Sequence, residues 1–328
     1  MNQKTRYFLI GSGLVVVVGL CTGLVASYSS QLPGLGSSVG PSELTYLPSD
    51  SSAIAFADVN AIMNSQFRER LRQFVPTGTE RDRLLAETGI DIERDIDTVV
   101  AGLGAGGGMD AAPVIILRGR FDAARIEALA TQHGGTAQEY QGTRMVRFGQ
   151  SDQAPADEMD HSPMSRGGVA FLETGLLAIG EVPALERAID AATREPDVTG
   201  NAALMDQVAD IQRTGNAWIV GRFEHLANAP HMPEHVRTQL PAIEWLSVSA
   251  DIDQGIGGFI RAQTADEQAA EDLRAIVNGA LAAARLAGGQ DQTFAAMLQS
   301  LQSTGTGRTV QLSFQFGPEI IDLIGRDR

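Results

Sequence analysis

One cysteine, Cys21, and one lysine, Lys4, are all the chain has of either residue. A lone cysteine excludes an intrachain disulfide framework, a cysteine-based zinc finger and an iron–sulfur cluster. With no lysine after residue 4, the rest of the chain has no P-loop lysine, no Schiff-base lysine and no Ser–Lys dyad. No G-x-S-x-G elbow follows a strand, which removes the usual serine-hydrolase arrangement. Basic charge is scarce as well: 25 Lys and Arg stand against 40 Asp and Glu, a formal charge of −15. An acidic surface repels phosphate backbones and argues against a nucleic-acid partner. Apolar residues are in good supply, at 43% of 328 residues. That is enough to bury a core, over a length that suits about two domains.

Charge is also missing locally. From Tyr7 to Ser27 no residue is charged, and at 21 residues the run is long enough for a helix to cross a bilayer, which takes about 20. Lys4 and Arg6 precede it, and the first charges after it are Glu43 and Asp50. The positive-inside rule then keeps the N-terminus in the cytoplasm and puts the bulk of the chain outside. A cleaved signal peptide usually has a shorter apolar region, although Val25-Ala26-Ser27 would serve as a cleavage site. Leu20 ahead of Cys21 is too large for a lipoprotein signal, and a pilin-type Gly-Phe processing site is missing. An uncleaved signal-anchor over residues 1–27 is the preferred reading, in a bacterial inner membrane, single-pass, with the ectodomain periplasmic. Gly19 and Gly23 have small-xxx-small spacing, a weak support for helix pairing. Residues 28–45 are rich in Ser, Gly and Pro and read as a flexible tether with a reach on the order of 20 Å.

Beyond the tether the patterns alternate between strand and helix, which predicts an α+β ectodomain of mostly antiparallel sheets with helices packed on one side. Ile54–Val59 reads as a strand, followed by a helix capped by Asn60 and carrying Ile62, Met63, Phe67, Leu71 and Phe74. Strands at Thr98–Ala101 and Val114–Leu117, a helix after Phe121-Asp122 and a strand at Met145–Phe148 complete one set. A hairpin about Thr174-Gly175 and a helix from Pro183 follow. A second set runs Trp218–Phe223, Trp245–Ala250, Gly258–Arg261, a helix opened by the capping box Thr264-Ala265-Asp266-Glu267, another capped by Asp291, and a strand at Thr309–Phe314. Pro318 opens a terminal helix. The repeated order predicts two similar halves, 46–200 and 201–328, with Thr309–Phe314 corresponding to Met145–Phe148.

Few strings carry chemistry. Gly102-Leu103-Gly104-Ala105-Gly106-Gly107 matches G-x-G-x-x-G, but no helix-length pattern follows before Val114, so a hairpin loop is the better reading. His231-Met232-Pro233-Glu234-His235 matches H-x-x-E-H, which resembles inverted zinc-peptidase sites with two His as ligands and Glu as base. Pro233 suits a first helical turn, so the helix starts there and the two His do not share a face. A third ligand would come from a distant acid such as Glu271 or Glu319. His231 and His235 are therefore the metal candidates of an alternative reading, a zinc-dependent envelope hydrolase. His161, within the acidic stretch from Asp157, lacks the regular acid spacing of a calcium loop, and His133 and His225 stand alone. No catalytic residue and no cofactor is assigned.

Leu47-Pro48-Ser49-Asp50, a short strand ending Ala57-Asp58-Val59 and the amphipathic helix after it resemble an uncharacterised bacterial family. Its members are membrane-anchored extracytoplasmic proteins of unknown function. The resemblance implies an envelope location and an α+β ectodomain that is often duplicated, and it transfers no functional residue. The expectation is thus a non-catalytic envelope protein for binding or scaffolding. Its partners would be the bilayer, through the N-terminal helix, and an envelope protein or a small ligand. Lys4 and Arg6 belong to the anchor, so the part beyond residue 27 carries 40 acidic and 23 basic side chains, and no cysteine.

Overall fold

Antiparallel pairing organises every described strand. The computed structural model describes residues 40–71, 91–104, 112–132, 134–148, 167–226, 241–287 and 292–318. The proposed anchor, Tyr7–Ser27, lies outside them. Among the described residues no helix is long and apolar enough to cross a membrane. The chain divides into two compact units: residues 28–60 with 77–208, and residues 61–76 with 209–328.

Among the described residues the first unit holds seven strands: β1 (Ser51–Asp58), β2 (Ile96–Gly104), β3 (Pro113–Gly119), β4 (Thr136–Tyr140), β5 (Thr143–Arg147), β6 (Gly167–Glu173) and β7 (Leu176–Glu181). Their order across the sheet is β1-β2-β3-β7-β6-β5-β4. Helix α1 (Ala123–Gln132) follows β3, and α2 (Val182–Thr193) follows β7. Asp122 starts α1 by accepting from the Arg125 amide at 3.0 Å. Gly134, at φ +88°, ends it, with the Gly135 amide bonded to the Ala130 carbonyl at 2.8 Å.

Helices cover this sheet on both faces, not on the one side expected. Val100, Ile116, Ala178, Ala170 and Met145 lie side by side across five strands and are each at most 1% exposed. This is the face of α2, because a side chain added at Gly168 or Gly180 of that face would meet Leu185 or Ala184. Arg144 and Val146 point the other way, since neighbours on a strand alternate. Arg144 pairs there with Glu127 of α1, and Val146 and Val169 are buried. The reason is compositional: β5 and β6 carry consecutive apolar residues, so both faces need a cover.

The second unit is built around β8 (Ala217–Arg222), β9 (Ile243–Ile252), β10 (Ile256–Thr264), β11 (Gln302–Thr304) and β12 (Thr309–Phe316), ordered β8-β9-β10-β12-β11. Helix α3 (Ala202–Ile211), which belongs to the first unit as far as Val208, precedes β8, and α4 (Glu267–Ala287) and α5 (Gln292–Ser300) separate β10 from β11. Ala262 and Val310 of the sheet and Ala270 and Leu273 of α4 form a buried cluster on one face. On the other face Trp218, Val220, Ser247 and Ser249 are buried.

Several local expectations are corrected. The helix after β1 is two pieces, Val59–Met63 and Gln66–Leu71, because Ser65 accepts from the Arg68 amide at 3.1 Å and caps the second. Asp266, not Thr264, caps α4: its side chain accepts from the Ala269 amide at 2.8 Å, while Thr264 closes β10. The tether ends earlier than residue 45, since Ser42–Tyr46 form a 3-10 helix in which Glu43 and Leu44 are buried. Thr309–Phe314 lies in β12 and Met145 in β5. β12 lies beside β10 as β7 lies beside β3, whereas β5, which contains Met145, is three places from β3. The hairpin β4–β5 turns through Gln141 and Gly142 at φ 51° and 82°. The Asp291 cap, the terminal helix from Pro318 and the helix from Pro233 fall outside the described residues.

Candidate functional site

His231, Glu234 and His235 lie outside the described residues, as do His133, His161 and Glu319. Glu271, offered as a third ligand, is an exposed side chain on α4. Among the described residues no group of three or more His, Cys, Asp or Glu stands close enough to hold a metal. The glycines have a clear place. Gly102 faces Val114 and Leu103 faces Pro113 in the antiparallel β2–β3 pair. A dinucleotide fingerprint runs from a strand into a helix within a parallel crossover, whereas Gly102–Gly104 end a strand of an antiparallel pair. Gly102 is needed for another reason: a Cβ there would come within 2.8 Å of Cδ2 of the fully buried Leu47.

Polar chemistry concentrates in two places. In the first unit, Glu43 of the 3-10 helix is 3% exposed and bonds Nε of Arg118 on β3. The Thr98 hydroxyl on β2 donates to Glu43 at 3.4 Å, and Nη2 of Arg118 reaches the Ser42 hydroxyl at 3.4 Å. One turn on, the Tyr46 hydroxyl donates to Glu173 at 2.7 Å. Burial, with the Glu173 carboxylate beside it, pushes the Tyr46 phenol above its ordinary value of 10. Tyr46 therefore stays a protonated donor at neutral pH, and Glu43 is consumed by its partners. The arrangement clasps the chain entering the unit onto the sheet. Close by, burial pushes the Asp97 carboxyl above its ordinary 3.8, against the pull of Arg120 and Arg118. Its Oδ1 has no hydrogen-bond partner among the described residues.

The second unit presents a polar sheet face. Arg261 on β10 donates from Nε to Gln311 of β12 at 3.0 Å, and Nη1 stands 3.8 Å from Asp210. Its guanidinium lies 4.7 Å from the centre of the Phe259 ring. Gln311 donates in turn to Ser313 at 3.1 Å. At the other side of the same face, Arg222 sits 4.6 Å above Trp245. Guanidinium groups held over rings, with half-exposed amides and hydroxyls between, make a surface of donors fit for a polar or acidic group. Sequence reasoning missed it because Arg261 and Gln311 meet only through the β10–β12 register. The one signal available was the alternation of Gln311, Ser313 and Gln315 with apolar neighbours.

No family model matches the chain, and no curated protein does. Among solved structures, crystal form I of the Treponema protein TP0453 is similar at a TM-score of 0.48 and 10% identity, covering 89% of this chain and 99% of that one. Crystal form IV gives 0.45 and 10%, over 88% and 97%. Likeness at this level carries no argument about what the present chain does.

Proposed function

We propose that the chain is a membrane-anchored extracytoplasmic protein of the bacterial envelope, whose ectodomain binds or scaffolds without catalysis. The observation that carries the reading is the 21-residue uncharged run Tyr7–Ser27, with Lys4 and Arg6 ahead of it and no charge behind it before Glu43. A charged side chain at the centre of such a helix costs roughly 2.5–3.5 kcal/mol on insertion scales, so an uncharged run of this length suits the bilayer. The buried polar groups support a structural role: Glu43 is committed to Arg118 and Thr98, and Ser249 lies 2.8 Å from the Thr214 hydroxyl. The ectodomain is a duplication in this reading. Each unit runs through three antiparallel neighbours (β1-β2-β3 and β8-β9-β10), crosses over by helix, and returns a strand beside the third (β7 and β12).

The test is a periplasm-active reporter fused after Arg328 of the full chain, with membrane fractionation alongside. Activity outside the cytoplasm and retention in the membrane are expected. Activity in the cytoplasm would overturn the topology, and release into the soluble periplasm would mark a cleaved signal. Metal analysis of the same purified chain checks the rival: stoichiometric zinc lost on His231→Ala and His235→Ala would replace the non-catalytic reading with the hydrolase.

A further inference from the structure

The helix α4 carries two apolar seams where its own unit uses one. The inner seam, Ala270, Leu273, Val277 and Leu281, packs on or toward the sheet. The outer seam is Ile276, Gly279, Ala283 and Leu286, spaced three, four and three residues apart, the seam spacing of paired helices. Ile276 is 45% exposed and Leu286 is 87% exposed, and they are the two large hydrophobic side chains exposed among the described residues. Between them Gly279 opens onto free space, with nothing within 4 Å of an added Cβ. The unit's own packing does not require that glycine, and mid-helix glycine disfavours the helix relative to alanine.

Charge singles out the same face. The chain carries −15 overall, yet from Ala275 to Leu286 the one charged side chain is Arg285. Arg285 turns toward α5, donating to the carbonyls of Leu298 and Leu301 at 3.3 and 2.8 Å. The outer seam is thus an uncharged strip on a strongly acidic protein, where two copies can approach without repulsion.

We infer that α4 pairs with α4 of a second copy, antiparallel, about a two-fold axis near residue 281. The seam is symmetric about that point. Ile276 of one copy then meets Leu286 of the other, and Gly279 meets Ala283, so the small residues admit the backbones where the helices cross. A two-fold interface of this kind uses the same patch on both copies. A single helix pair covers less than the about 1,200 Å² typical of stable soluble complexes. Sharing one membrane raises the effective concentration and favours the pair; this last step rests on the anchor proposed above.

The experiment uses the full chain with Cys21→Ser, carrying either Ile276→Cys or Leu286→Cys, in phosphatidylcholine vesicles under mild oxidation. Identical positions lie about 15 Å apart along the axis in this pairing, too far for a disulfide. Cross-linked dimer is therefore expected in the mixture of the two variants, several-fold above either alone. Gly279→Leu added to both should abolish it while leaving the melting temperature no lower. Equal cross-linking in either variant alone, no cross-link in the mixture, or a cross-link that survives Gly279→Leu would overturn the pairing. Flotation of the chain with the vesicles reports the anchor separately, so its failure is not mistaken for failure of the pair.

Discussion

Glu43 offers a sharp test of what the buried clasp contributes. Its side chain is 4% exposed and that of its partner Arg118 is 37% exposed. Glu43→Gln keeps the volume and removes the charge. A hydrogen bond to a charged group contributes about 1.5–3 kcal/mol net. Arg118 keeps access to water after the change, so the penalty stays below the roughly 3–5 kcal/mol of stranding a fully buried charge. The expected loss is about 2 kcal/mol, rising to about 3 kcal/mol for Glu43→Ala, which also strips the acceptor from Thr98 and Ser42. At about 2–4 °C per kcal/mol for a unit of this size, Glu43→Gln should melt about 4–8 °C lower. Circular dichroism or hydrogen exchange of β2 and β3 should be followed; both tryptophans, Trp218 and Trp245, belong to the other unit. Arg187 and Asp50 make an equivalent ion pair at the surface, with side chains 32% and 53% exposed. Asp50→Ala should therefore cost no more than about 0.5 kcal/mol. A Glu43–Arg118 double-mutant cycle with coupling under about 0.5 kcal/mol would refute the argument that burial gives this pair its weight.

Asp97→Asn should stabilise the protein at pH 7. Because the folded carboxyl is raised above 3.8, the stability it contributes is present below that pH and is lost as pH rises through the folded value. The gain should disappear in melts near pH 3, and a variant less stable than the parent at pH 7 would sink the idea. Tyr46 has the same sign in the alkaline range: its contribution is intact below about pH 10 and falls as the unfolded phenol ionises first. Tyr46→Phe should flatten the loss of stability between pH 9 and 11, and an unchanged slope would count against the Glu173 contact. Leu185 is 0% exposed and sits beneath Gly168, so Leu185→Ala should cost about 2–5 kcal/mol in chemical denaturation. A loss under about 1 kcal/mol would mean that α2 is not packed as described.

Much of the fold was legible because it is written in local periods. The alternation at Thr309–Phe314 and the continuous apolar runs at Val114–Leu117 and Val169–Phe171 mark strands directly, and β12, β3 and β6 lie there. Capping signals located helix starts to within a residue or two, as at Asp122 and Pro183. The pairing of those strands was not legible. The sequence order placed Met145–Phe148 opposite Thr309–Phe314 in the repeat, and only the hydrogen-bonded neighbours show that β12 lies beside β10 and that β7, not β5, lies beside β3. Short exposed strands escaped for the same reason: β4 has little apolar pattern and exists through β5.

The polar site divides along the same line. Sequence alone determined the charge balance, the missing cysteine and lysine chemistry, the uncharged run at Tyr7–Ser27 and the alternation that gives an α+β chain, because each is a property of neighbours along the chain. Tertiary structure decided that Glu43 is spent on a guanidinium 75 residues away, that Arg261 meets Gln311, and that Ile276 and Leu286 are left facing outward. These depend on strand register and on which helix face the sheet takes, and contacts between residues so far apart leave no local period to read.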